Sequence, residues 1–197
     1  MIEAPTAPPP PDAAPSRGNR ALRSAIEWVI IIAAALLVAF LVKTFLIQAF
    51  YIPSASMEPE LNISDRILVN KLSYRLHEIH RGDIVVFERP DCAVRDPEIK
   101  DLVKRVVGLP GDKVEGRDGG VLVNDRRLVE DYLPDGQTTS DFGPVEVPEG
   151  RLWMMGDNRG NSSDSRVLCG GPTFIDRDAV VGRAFVRVFP VTRLGLL

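Results

Sequence analysis

Cysteine and histidine are nearly absent: the 197 residues include two of each, Cys92 and Cys169, and His77 and His80. Two thiols cannot staple a disulfide-dense miniprotein, and they lack the spacing of a zinc site. The histidines stand in His77-Glu78-Ile79-His80, which is not the HExxH of a metalloprotease. As a pair they fall short of a structural zinc site and read as solvated loop residues, so no metal site is predicted. A surplus of positive charge is also missing. Lys and Arg number 24 against 27 Asp and Glu, a net charge of −3, which leaves no electrostatic footprint for a nucleic-acid binder. Long apolar runs are missing too, with one exception between Trp28 and Ile52, which excludes a multi-span transporter. At 45% hydrophobic residues the chain is not fully disordered either.

The opening MIEAPTAPPPPDAAP is rich in Pro and Ala and has little to bury, so residues 1–24 read as a disordered, Pro-rich cytoplasmic tail. Its proline run reads as a spacer rather than as a ligand for an aromatic groove. Every residue from Trp28 to Val42 is apolar, and after Lys43 and Thr44 the character resumes through Tyr51, broken only by Gln48. A helix of about 20 residues crosses a ~30 Å hydrocarbon layer, so residues 25–50 are expected to form a transmembrane helix, with Lys43 snorkelling to the interface. Its length argues against a buried core helix. A cleavable signal sequence would have an apolar stretch of only about 7 to 15 residues ending in small side chains, whereas this one runs into Phe50-Tyr51-Ile52. Arg17, Arg20 and Arg23 precede the span, and flanking basic residues stay on the cytoplasmic side. The expected topology is single-pass in the cell membrane, N-terminus inside, with residues 51–197 on the extracytoplasmic face.

The remaining part, about 145 residues, suffices for a sizeable core but not for two large domains. Arg66 to Asn70, Asp83 to Phe87, Val103 to Val107, Val121 to Val123, Val145 to Val147, Leu152 to Met155 and Val180 to Phe189 have strand character, with turn signals between them. The domain is predicted to be mainly β, a set of packed sheets or a partly closed barrel. An oxidising compartment would permit a Cys92–Cys169 bridge, and the sequence leaves its state open.

Directly after the apolar run comes Ile52-Pro53-Ser54-Ala55-Ser56-Met57-Glu58-Pro59-Glu60-Leu61. Taken alone, such a segment is a juxtamembrane turn. A serine nucleophile needs a base, and neither histidine lies in a suggestive context. Lys104, set among Leu102, Val103, Val106 and Val107, is the best alternative, because burial lowers a lysine pKa.

These residues carry a resemblance. SASMEPEL, RGDIVVF, VKRVVGLPGD and GDNRGNSSDSR stand in the order found in type I signal peptidases, membrane-anchored serine proteases that cleave signal sequences from exported proteins. The similarity runs from the apolar span to about Val188. It implies Ser56 as nucleophile, Lys104 as general base, and the Ser54 hydroxyl with the Ser56 N–H as oxyanion donors. It further implies Ser162 as orienter of the lysine, Asp164 and Arg166 as a supporting ion pair, and Asp157 and Asn158 as structural members of that loop. Phe50, Ile52, Met57, Leu61, Ile67, Val86, Leu102 and Val103 would line shallow pockets for an Ala-X-Ala substrate. The implied partners are signal-peptide-bearing preproteins and the lipid bilayer, with no nucleic acid, no metal or organic cofactor, and a functional monomer.

Three positions depart from the family pattern. Glu60 stands where Thr is usual, Ala55 replaces a common Gly, and Val167 to Pro172 replace an aromatic-glycine continuation. Two rival readings compete. A catalytically idle, membrane-anchored binding module has no need for Ser56, Lys104 and Ser162 together. A self-cleaving repressor of the Ser/Lys type would bring a DNA-binding module and no N-terminal span.

Overall fold

A computed structural model describes residues 17–42, 46–93 and 99–197. The proline-rich segment through residue 16, and with it most of the expected tail, lies outside the described residues.

The chain divides into a unit ending at Val42 and a second beginning at Lys43. In the first, helix α1 runs Arg17–Leu41, starting inside the segment read as tail. Its Arg23–Leu41 stretch, 19 residues with a mean hydropathy of 2.5, is long and apolar enough to cross a membrane. The expectation of one helix through residue 50 is corrected. Ile47–Tyr51 is a strand, β1, paired antiparallel with β2, Arg66–Asn70. Apolarity alone does not separate a helix from a strand; here the backbone of residues 47–51 finds its hydrogen-bond partners across a sheet.

The second unit is mainly β. After a short helix α2, Ser73–Leu76, come β3 (Ile84–Glu88), β4 (Asp101–Gly108), β5 (Lys113–Arg117), β6 (Gly120–Val123), β7 (Arg126–Arg127) and β8 (Phe142–Glu146). β9 (Arg151–Met155), β10 (Ile175–Asp176), β11 (Val180–Phe189) and β12 (Gly195–Leu196) complete the unit. Among the described residues, one antiparallel sheet has the order β1-β2-β11-β3-β4-β9-β10, with β12 added to β11, and forms an open half-barrel. A smaller sheet has the order β7-β6-β5-β8.

Three apolar cores follow from period-two alternation. Ile84 and Val86 of β3 enter a first core with Ile52, Met57, Leu61, Ile67 and Val69, while Val85 and Phe87 enter a second with Val106, Leu152 and Met154. A strand buried on both faces explains why Ile84 to Phe87 reads as a continuous apolar run. The third core joins the two sheets around Trp153, whose ring stacks on Phe142 at a centroid distance of 5.5 Å. Central β4 contributes to all of this packing yet carries two buried cations, Lys104 and Arg105.

Cys92 and Cys169 form a disulfide across 77 positions, tying the turn after β3 to the segment before β10. Closing so long a loop restricts the unfolded chain strongly. A Cys92→Ser/Cys169→Ser variant is expected to lose about 2 to 4 kcal/mol of stability, read as a lowered midpoint in thermal unfolding; an unchanged midpoint would contradict a stabilising bridge.

Candidate active site

The hydroxyl segment is held from below and from both ends. Ala55–Met57 form a single 3-10 turn, with Met57 and Leu61 driven into the first core at 1% and 0% exposure. The Leu61 N–H donates to the Met57 carbonyl at 2.8 Å, and the Ile52 N–H to the Asp65 carbonyl at 3.0 Å. Ser54 and Ser56 are left facing outward, exposed and half-buried respectively, their Oγ atoms 3.5 Å apart. Ala55 sits in an ordinary right-handed turn, so glycine is not required there.

Lys104 reaches this turn from β4. Its Nζ donates to Ser56 Oγ at 2.6 Å and to the Val103 carbonyl at 3.0 Å. At 3% exposure the amine is desolvated. Burial pushes its pKa down, the carboxylates of Asp164 and Asp157 push back, and the balance is about 8. At that value about one molecule in ten is neutral at pH 7, against about one in 2,500 for an ordinary lysine at ~10.4.

Why those two carboxylates do not restore the charge follows from their other partners. Asp157 is claimed by Arg105, whose Nε and Nη2 bond its two oxygens at 2.8 and 2.6 Å, while Arg105 Nη1 donates to the Gly82 carbonyl at 2.9 Å. Asp164 is claimed by Arg166 in the same forked manner, at 2.8 and 2.7 Å. For Asp164, burial pushes the pKa up, but the Arg166 hydrogen bonds and charge and the Gly156 N–H outweigh it and hold the carboxyl below its ordinary value. Forked arginine–carboxylate pairs are among the strongest in proteins. A third pair, Arg159 with Glu130, anchors the same loop to the segment after β7, joined by Thr139 Oγ1 at 2.9 Å from Arg159 Nη1. Both carboxylates that act on the amine, Asp157 and Asp164, are thus paired with an arginine, and Lys104 has no ion-pair partner of its own among the described residues.

The loop 156–166 also grips the serine turn directly. The Asn158 N–H donates to the Ser56 carbonyl at 3.1 Å, and Asn158 Nδ2 donates to the Ala55 carbonyl at 3.1 Å. A Cβ at Gly156 would overlap both Ser162 Oγ and the Ser56 carbonyl, so glycine is required where the loop passes the turn. Ser162 therefore lies beside Ser56. Its Oγ is buried without a partner of full hydrogen-bond geometry, although the hydroxyl is close enough to Asp164 to help hold that carboxyl down. The lysine-orienting contact implied for Ser162 is not formed in this structure; the Val103 carbonyl is the second partner of the amine.

Seven of the eight implied pocket residues gather in or against the first core: Phe50, Ile52, Met57, Leu61, Ile67, Val86 and Val103. Leu102 instead packs against the second core, because its neighbour Val103 takes the first-core side of β4. Glu60 is matched by Arg187 of β11, which pairs with its carboxylate at 3.5 Å and also donates to its carbonyl. Arg105, Arg159, Glu130 and Asn158's double grip were not assigned from the sequence. The signal available for Arg105 was an arginine inside the apolar run of β4, which needs a buried counter-charge.

The family described as "Signal peptidase, peptidase S26" matches residues 25–189. A Synechocystis protein named "Probable signal peptidase I-2" is 44% identical over 83% of this chain and 72% of its own length. Signal peptidase I of Leptolyngbya laminosa is 37% identical over 99% of this chain and 95% of its own. Among solved structures, a signal peptidase I from Enterococcus faecalis is 30% identical, with a TM-score of 0.43, covering 54% of this chain and 97% of that one.

The depressed lysine carries a stability consequence with a definite sign. The folded-state pKa, about 8, lies below the unfolded value of ~10.4, so the unfolded chain binds more protons between those limits and stability rises with pH across them. Below pH 8 the full penalty of roughly 3 kcal/mol stands. Lys104→Met is expected to be more stable than the wild type by roughly 1 to 3 kcal/mol at pH 7, with the gap closing by about pH 10.5. Thermal unfolding of the whole chain across this range checks it, and a variant less stable at pH 7 would contradict the burial penalty.

Proposed function

Because the chain belongs to the signal peptidase family, peptidase S26, and is a serine endopeptidase of that family, we propose that it removes signal peptides from exported preproteins with Ser56 as nucleophile and Lys104 as general base. The observation that carries this reading is the 2.6 Å contact between a desolvated lysine amine and a partly exposed serine hydroxyl.

In this mechanism the neutral Lys104 amine takes the Ser56 proton as Oγ attacks the scissile carbonyl carbon. The oxyanion that forms accepts hydrogen bonds from the Ser56 N–H and the Ser54 hydroxyl. Lys104, now an ammonium, returns its proton to the leaving amine as the peptide bond breaks. A water then gives up a proton to the amine and attacks the acyl-enzyme, and the ammonium returns that proton to Ser56 Oγ as the ester bond breaks, releasing the signal peptide and regenerating the serine hydroxyl and neutral amine. Ser162 sits within reach of the turn, and on this reading its hydroxyl orients the amine once substrate is bound. Asp164, Arg166, Asp157 and Asn158 fix the turn and the amine relative to one another.

Substrate binding follows the same layout. Among the described residues β9 pairs with β4 only from Arg105 onward, which leaves the edge of residues 101–104 beside Ser56 unpaired on that side. An extended chain adds there by main-chain hydrogen bonds, with alternate side chains entering the apolar surface over Ile52, Met57 and Val103. A floor of tightly packed side chains suits small residues, the Ala-X-Ala pattern. Helix α1 anchors the enzyme in the membrane as a single span, with Arg17, Arg20 and Arg23 at its N-terminal end on the cytoplasmic side and the unit read as 51–197 acting outside as a monomer.

Two experiments test the reading. Purified protein in detergent with a preprotein is expected to cleave after Ala-X-Ala, while Ser56→Ala and Lys104→Met lose at least 1,000-fold in kcat/KM, since nucleophile and base act as one unit; turnover by a folded Lys104→Met would remove the lysine from its role. The pH–rate profile is expected to rise through about 8. Arg166→Gln releases the Asp164 carboxylate toward Lys104 and is expected to move that rise to higher pH; an unshifted profile would mean that the arginine does not shield the amine.

A further inference from the structure

A second polar site lies away from Ser56 and Lys104. Lys71 at the end of β2, Arg75 on α2 and Arg177 in the turn before β11 line a cavity of about 350 Å³, with Asp178 as the single carboxylate among its lining residues. Five arginines of this unit, Arg105, Arg159, Arg166, Arg187 and Arg193, are ion-paired. The side chains of Lys71, Arg75 and Arg177 have neither an ion pair nor a hydrogen bond among the described residues. Like charges gathered around one hollow repel each other, and an anion inside relieves that repulsion. Asp178 sets one negative charge against these three cations, which leaves an excess of positive charge at the cavity. Asp83 is engaged by the Tyr74 hydroxyl at 3.0 Å and by Arg183 at 3.1 Å.

Two features choose the class of anion. The first is that Val180 and Val181, with the Tyr74 ring, give the cavity an apolar wall beside its cations, the combination that suits an amphiphile better than a bare ion. The second is covalent. The Lys71 N–H donates to the Leu46 carbonyl at 2.9 Å, and Leu46 follows the end of α1, Leu41, by only five residues. Chain geometry keeps those two residues within about 18 Å of each other, whatever the path between them. We propose that this cavity binds the phosphate of an anionic phospholipid headgroup, the three cations meeting the phosphate and the valines meeting the glycerol and upper acyl carbons. The proposal rests on the reading of α1 as a membrane span. Its consequence is that the catalytic unit is held to the lipid surface at a second point, next to its own tether.

The test uses the full chain in neutral detergent, with native mass spectrometry after addition of phosphatidylglycerol, phosphatidylcholine or inorganic phosphate. The wild type is expected to retain phosphatidylglycerol in preference to phosphatidylcholine, and K71Q/R75Q/R177Q to retain at least ten-fold less of it. The variant's thermal midpoint and soluble-peptide cleavage are expected to change less than two-fold or a few degrees, which separates lost binding from lost folding. Equal phosphatidylglycerol retention by wild type and variant would overturn the proposal, as would retention of inorganic phosphate with no preference for the lipid. Alkaline carbonate extraction from phosphatidylcholine vesicles reports on the span separately: release of wild type and variant alike would overturn the anchored reading, while the micelle result still decides the cavity.

Discussion

Holding one lysine amine out of water against a serine hydroxyl is the constraint around which the catalytic unit is organised. Nζ of Lys104 sits 2.6 Å from Ser56 Oγ at 3% exposure, in a place where an ammonium is disfavoured. Burial alone would not secure that state, because Asp157 and Asp164 stand close enough to draw the proton back. Their pairing with Arg105 and Arg166 removes most of that pull. The arginines cost desolvation themselves, and forked hydrogen bonds offset it only while both partners are present. The unit therefore carries buried charges in which Asp157 and Asp164 each have an arginine, while Lys104 has hydrogen bonds but no ion-pair partner among the described residues.

Strand β4 makes this arrangement possible. It places a lysine and an arginine in consecutive positions, so that one meets the serine turn while the other clasps the loop that crosses it. Asn158, one residue after the clasped Asp157, can then hold the carbonyls of Ala55 and Ser56. The turn is thus fixed from the loop side by hydrogen bonds and from the core side by Met57 and Leu61. The first core also lies beside the part of β4, residues 101–104, that β9 does not pair among the described residues.

Much of this was legible in the sequence where local pattern carries the information. The strands around Val69, Val85, Val106 and Trp153 follow from β-type runs between turn residues, and the lysine stood out as a cation inside one of them. Seven apolar residues named together fall in or against one core. What failed to show were features set by distant partners. Residues 47–51 look like a continuation of the apolar helix, and only β2, about 20 positions later, makes them a strand. Arg159 gives no local sign that Glu130 awaits it, and Leu102 differs from Val103 only by the side of the strand it occupies. The pairing of Cys92 with Cys169 likewise depends on two loops that meet after the sheet is built.

The central claim is that Lys104 is a neutral-capable amine because it is buried without a carboxylate of its own, and direct titration tests it best. With 15Nζ-labelled lysine in the full chain, the resonance that disappears in Lys104→Met is predicted to titrate at about 8, apart from the exposed lysines near ~10.4. A Lys104 resonance that titrates with the others, or above them, would contradict the account.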